Sequence, residues 1–221
     1  MGTDNLFHKR KERSVENLAR LRNTRESYSR VLIVCEGAET EPNYFNELIR
    51  HYKISSANVE ITGKCGSSPK NVVDLANSRY NEEKKKGNAF DKVFCVFDKD
   101  SHPAYQNTLD RLRNMSRQNT FFAITSIPAF EYWFLLHYAY STQPYTETGS
   151  KSAADNLISD LQKHLPDYAK TSRDMFSTLI DKMETAKTNA ARALSAAESA
   201  DTDNPSTRVH ELVEFLQNIK R

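Results

Sequence analysis

Apolar residues in this chain fall into short continuous runs separated by longer segments of helical period, and the two alternate through the first 140 residues. Val31 to Cys35, Asn58 to Thr62, Lys92 to Phe97 and Thr120 to Thr125 are rich in β-branched and aromatic side chains. Their length and composition suit strands, and the unbroken runs suit strands buried on both faces. Between them, apolar positions recur at helical spacing: Tyr44, Phe45, Leu48 and Ile49 after Pro42; Val72, Val73, Leu75 and Ala76 after Pro69; Tyr105, Leu109, Leu112 and Met115 after Pro103. A proline is tolerated in the first turn of a helix, and Thr40 or Glu41 and Ser68 stand ready as caps. Pro128 leads into one more apolar segment, Ala129 to Tyr140, read as a helix. This alternation predicts an α/β fold whose right-handed βαβ units build a mostly parallel sheet of about four strands with flanking helices.

No further strand is evident in the last eighty residues. Ser152 to His164, Ser172 to Ser199 and Ser206 to Ile219 read as helices, separated by Pro166 and by Asp203-Asn204-Pro205. The expected organisation is therefore an N-terminal arm over 1–30, an α/β domain over 31–140 and a helical C-terminal region over 141–221 packed upon it. The arm holds eight Lys or Arg, among them Arg20, Arg22 and Arg25, against four acids, while the formal net charge of all 221 residues is only +2. A basic arm on a near-neutral body fits contact with a phosphate backbone, and it equally fits a solvated tail.

The longest apolar stretch, Ala129 to Tyr140, is interrupted by Glu131 and His137 and falls short of the ~20 residues that span a bilayer. The start of the chain offers no signal-peptide pattern, so a cytoplasmic protein is expected. Three cysteines at Cys35, Cys65 and Cys95 form no metal or redox spacing. Cys35 and Cys95 lie inside strand runs and read as core.

Chemistry enters where the strand runs stop. Val31-Leu32-Ile33-Val34-Cys35 ends in Glu36-Gly37, and Val93-Phe94-Cys95-Val96-Phe97 ends in Asp98-Lys99-Asp100. If both strands are parallel neighbours, their carboxylates share the sheet edge where open α/β folds bind ligands. Gathered acids repel unless a cation neutralises them, and hard oxygen donors suit Mg²⁺ or Mn²⁺. Glu36, Asp98 and Asp100 are the primary metal candidates. Glu41, with Glu39 less favoured, could support the same or a second ion, and a helix-start acid is its simpler role. Glu131 stands amid Phe130, Tyr132, Trp133 and Phe134, where a carboxylate is costly without a partner. It reads either as a metal ligand or general base, or as half of a buried structural pair. His137 lies six residues on, off the helical face of Glu131, and reads as structural.

These residues carry a resemblance. Glu36-Gly37 and Asp98-Lys99-Asp100 behind their strands resemble the TOPRIM catalytic domain of topoisomerases, primases and related nucleases. More narrowly, Cys35-Glu36-Gly37-Ala38-Glu39-Thr40-Glu41-Pro42-Asn43-Tyr44-Phe45 is similar to the RloB family of bacterial defence proteins. So are the segment from Pro128 to His137, Tyr168-Ala169-Lys170 and Asn204-Pro205-Ser206-Thr207. The resemblance runs from about Arg30 to the C-terminus. It implies a TOPRIM-like fold and a Mg²⁺-dependent nuclease acting in abortive infection of phage-challenged bacteria, on DNA or RNA. With it, Lys170 becomes a candidate catalytic cation for developing phosphate charge. Lys64 and Lys70, beside the Gly63 to Ser68 loop, join Arg20, Arg22 and Arg25 as candidate nucleic-acid contacts.

Two other readings stand beside this one. The chain could be a non-catalytic binding or regulatory subunit docking an ATPase partner of AAA or ABC type. It carries no Gly-x-x-x-x-Gly-Lys-Ser/Thr loop of its own. The same acids could also serve metal-dependent nucleotidyl transfer.

Overall fold

The computed structural model describes residues 29–55, 58–63, 66, 68–99, 104–115 and 119–219. In chain order the elements are β1 (Val31–Cys35), α1 (Thr40–His51), β2 (Val59–Thr62), α2 (Pro69–Lys85), β3 (Lys92–Asp98), α3 (Tyr105–Met115) and β4 (Phe121–Ile127). There follow α4 (Glu131–Leu135), α5 (Ala153–Leu161), α6 (Met175–Leu179), α7 (Met183–Ser199), β5 (Ser206–Thr207) and α8 (Val209–Asn218). One sheet runs in the order β2-β1-β3-β4-β5, parallel throughout except for β5.

Side chains of a strand alternate between faces, and each face here has its own core. Leu32 and Val34 of β1, with Val93, Cys95 and Phe97 of β3, pack on Val72, Val73 and Ala76 of α2 and on Tyr105 and Leu112 of α3. Val31, Ile33, Cys35, Phe94, Val96 and Ile124 face the other way, toward Tyr44, Phe45 and Leu48 of α1 and toward α4 to α8. Every residue of β1 is 0% exposed, which is why its sequence shows an unbroken apolar run rather than an alternating one. Cys35 and Cys95 are buried, as the runs predict.

The chain passes from β1 to β2 on one side, then returns to β3 on the other. Helices α1 and α2 accordingly cover opposite faces. The C-terminal ends of β1 and β3 thus form a switch point in strand order, where such sheets leave a crevice.

Three expectations about the elements require correction. The sheet has five strands, because Ser206 and Thr207 pair antiparallel with Ile127 and Ser126, and the two hydroxyls of Ser126 and Thr207 meet at 2.9 Å. Two residues are too few to display alternation. The helix read over Ala129 to Tyr140 contracts to Glu131–Leu135: the segment is apolar because it is buried on all sides, and periodicity is absent from such a run. The long helix read over Ser172 to Ser199 is broken by a 3₁₀ turn at Ile180–Lys182, and no proline or glycine marks that break.

Candidate metal centre at the switch point

Glu36 prolongs β1 by one residue. Its N–H donates to the Val96 carbonyl of β3 at 2.9 Å, and its Oε2 accepts the Asp98 N–H at 3.1 Å. Asp98 closes β3, so the two acids that ended separate apolar runs in the sequence sit on adjoining strands. The Asp98 carboxylate in turn accepts the backbone N–H of Phe130. Glu41, in the first turn of α1, is 6% exposed, and its Oε1 accepts the Gly37 N–H at 3.2 Å. Glu131 opens α4 at 3% exposure, with its Oε1 accepting the Tyr168 hydroxyl at 2.9 Å.

Four elements therefore direct four carboxylates toward one region, and their charges act on one another. Burial first, then the charges of Glu41, Glu131 and Glu36, hold the Asp98 carboxyl well above the ordinary carboxylate range. Glu41 is raised as well, by burial and then by Glu131 and Glu36, although its backbone hydrogen bonds oppose the shift. Among the described residues, Glu41, Asp98 and Glu131 have no cation at ion-pair distance. Two like charges ~5 Å apart repel by roughly 3 kcal/mol at an effective dielectric near 20. That is large beside a net folding stability of about 5–15 kcal/mol.

The donor set fits a hard divalent cation: all oxygen, all acidic, and electrostatically strained without positive charge. Among the described residues no three His, Cys, Asp or Glu side chains converge on one ion-sized point. Asp100 lies outside the described residues, as do Lys64, Arg20, Arg22 and Arg25.

Two glycines shape the crevice. A Cβ on Gly37 would overlap the Glu41 carboxylate, so the missing side chain is what lets Glu41 reach the Gly37 N–H. On Gly63, just past β2, a Cβ would overlap the Gly37 carbonyl and come within 2.8 Å of Pro42 Cγ. Hence β2 abuts the turn between β1 and α1 through a backbone-to-backbone contact that only glycine permits. Lys70 is exposed in the first turn of α2, just beyond this loop.

The segment between α5 and α6 closes another side. Thr40 Oγ1 donates to the Lys170 carbonyl at 2.7 Å, and Gln162 Nε2 donates to the Tyr168 carbonyl at 3.0 Å. Glu47 of α1 accepts the N–H groups of Asp174 at 2.8 Å and Ser177 at 3.3 Å, anchoring the far end. Lys170 is thus at the rim, exposed, with its backbone carbonyl held by Thr40. Tyr168 is 5% exposed; burial, and then the charge of Glu131, raise its pKa, so the phenol keeps its proton and remains a donor. His137 lies 1% exposed away from this cluster, with Nδ1 2.9 Å from the Trp133 carbonyl, and burial lowers its pKa to about 4.

Sequence reasoning singled out Glu36, Glu41, Asp98 and Glu131, and the fold brings them together. It passed over the roles of Gly63, the Phe130 N–H and the Tyr168 hydroxyl. A large aromatic in the otherwise polar Pro166 to Ser172 loop was the available signal for Tyr168.

A family model described as RloB-like protein matches residues 31–216, and the chain belongs to that family. No curated protein and no solved structure matches it. No helix among the described residues is long and apolar enough to cross a membrane.

Proposed function

We propose that this RloB-like protein is a metal-dependent nuclease that hydrolyses phosphodiester bonds of DNA or RNA, acting in bacterial defence against phage. The observation that carries the reading is the group of Glu36, Glu41, Asp98 and Glu131 at the switch point, with Asp98 raised in pKa by burial and then by Glu41, Glu131 and Glu36, and Glu41 raised by burial and then by Glu131 and Glu36. Buried acids with a structural role are ordinarily paired with cations, and perturbed carboxylates in a crevice point to chemistry.

Glu36, Asp98 and Glu41, with Asp100 two residues further along the sequence, are the residues to hold Mg²⁺ or Mn²⁺. When bound, such an ion polarises the phosphate and lowers the pKa of the attacking water. The chain's own contribution is placement. The Val96 and Asp98 backbone fixes Glu36 across two strands, and Phe130 N–H fixes Asp98. Glu131, almost wholly desolvated and held by Tyr168, completes the coordination or accepts the proton of the water. Lys170 on the rim offers positive charge to the phosphate, and Lys70 extends a basic approach on which contacts are salt-sensitive and blind to sequence.

The test is incubation of the purified protein with DNA and with total RNA, in Mg²⁺, Mn²⁺ or EDTA, beside Asp98→Ala. Cleavage that needs the metal and is lost in the variant is the expected result and names the substrate. Absence of cleavage with every nucleic acid, both alone and with the product of an adjacent ATPase gene, would overturn the reading in favour of a binding subunit.

A further inference from the structure

We infer that Tyr168 is a positioning residue for the metal centre, using its hydroxyl to hold Glu131 as a correctly turned ligand. The inference rests on the metal-centre reading above and adds a residue from a distant part of the chain to it. Glu131 is 3% exposed and begins a helix of only five residues whose other side chains, Tyr132 to Leu135, are aromatic or aliphatic and buried. Its carboxylate therefore has few groups to orient it, and a carboxylate free to swing makes a poor ligand.

The Tyr168 hydroxyl reaches it at 2.9 Å across 37 residues of sequence. The ring is fixed edge-on to Phe134 with centroids 5.9 Å apart, and the backbone from Tyr168 to Lys170 is tied down by Gln162 at the Tyr168 carbonyl and Thr40 at the Lys170 carbonyl. A donor held at both its ring and its backbone has little conformational freedom left to lose when it orients the acid. Hydrogen bonds from such outer groups typically change metal affinity by 10–100-fold.

The experiment measures Mn²⁺ binding to the full chain by titration calorimetry and by the loss of the free-ion electron paramagnetic resonance signal, without nucleic acid. Wild type is compared with Tyr168→Phe, Glu131→Gln and the double variant. Phenylalanine keeps the ring in the core, and near-ultraviolet circular dichroism checks that packing. Tyr168→Phe is expected to weaken Mn²⁺ by about 10–100-fold, and to have no further effect in the Glu131→Gln background. Equal losses in both backgrounds would assign Tyr168 a purely structural role and overturn the inference, as would unchanged Mn²⁺ affinity in Tyr168→Phe. Should Tyr168→Phe fail to fold, Thr40→Val, which releases the strap carrying Tyr168, is read through the same cycle with the same two outcomes. Absence of Mn²⁺ binding to wild type would instead sink the metal-centre reading itself.

Discussion

Two acidic groups flank the C-terminal edge of the sheet, and they are built differently. At the end of α7, Glu198 pairs with Arg208 at 3.1 Å, Arg208 also holds Glu211 at 2.6 Å, and Asp203 meets Lys99 at 2.5 Å. Within the crevice, Glu41, Asp98 and Glu131 receive N–H and O–H donors but no cation among the described residues. The first group is solvated and compensated, so its acids cost the fold little. The second is desolvated and mutually repelling, a strain that a bound cation would relieve. Lys99 sharpens the contrast, since it directly follows Asp98 in the chain yet spends its charge on Asp203.

The largest effect should come from neutralising one acid in each group. Asp98→Asn is expected to reduce metal-dependent cleavage by at least about 100-fold, beyond the usual cost of losing a group that only supports a ligand, whereas Asp203→Asn should change it by less than about threefold given the small worth of exposed pairs. Initial rates at saturating Mn²⁺ decide it, and similar losses in the two variants would erase the distinction. Next in size is Gly37→Ala, whose new Cβ must push the Glu41 carboxylate aside. Because the obstacle is the end of a flexible side chain, cleavage should fall about tenfold or more while the melting temperature moves by only a few degrees. Gly63→Ala is the counterpart: there the obstacle is backbone, and a loss of ~1–3 kcal/mol in urea unfolding is expected.

Stability against pH tests the contrast without nucleic acid. Asp98 and Glu41 have folded pKa values above their ordinary 3.8 and 4.5. Between the ordinary and the raised values the folded state binds more protons at these two groups than the unfolded, so their contribution to the metal-free protein's stability is full below about pH 4 and is lost as pH rises through the raised values. Thermal melts should show Asp98→Asn with a flatter dependence over this window and Mn²⁺ restoring the wild type at neutral pH. A wild type whose curve matches that of Asp98→Asn would contradict the assigned strain. The smallest effect is expected from Arg208→Ala, which breaks two ion pairs whose partners are well exposed; about 0.5 kcal/mol or less per pair is anticipated by denaturant unfolding, with cleavage unchanged.

Much of this arrangement was legible in the chain because burial and chemistry there have local signatures. A strand covered on both faces reads as an unbroken apolar run, so Glu36 and Asp98 stood out by ending such runs, and Glu131 by interrupting one. What stayed hidden depends on partners remote in sequence. The hydroxyl that holds Glu131 lies 37 residues away, and the contact of Gly63 with Gly37 exists only once β2 has paired with β1. The break within Ser172 to Ser199 escaped notice because tertiary packing, not a breaker residue, sets it. Strand β5 escaped because pairing of two residues is decided by the edge they meet.

That short strand also bears on how the protein is made. Thr207 pairs with Ser126 across 81 residues, and Arg208 N–H adds a bond to the Thr125 carbonyl at 2.9 Å. During synthesis β4 is complete long before its outer neighbour exists, so the nascent chain carries an open edge that other chains can pair with until the C-terminal segment arrives. Truncation upstream of Ser206 recreates that condition permanently: what resembles trimming a helical tail removes the last strand of the sheet and leaves an aggregation-prone rim.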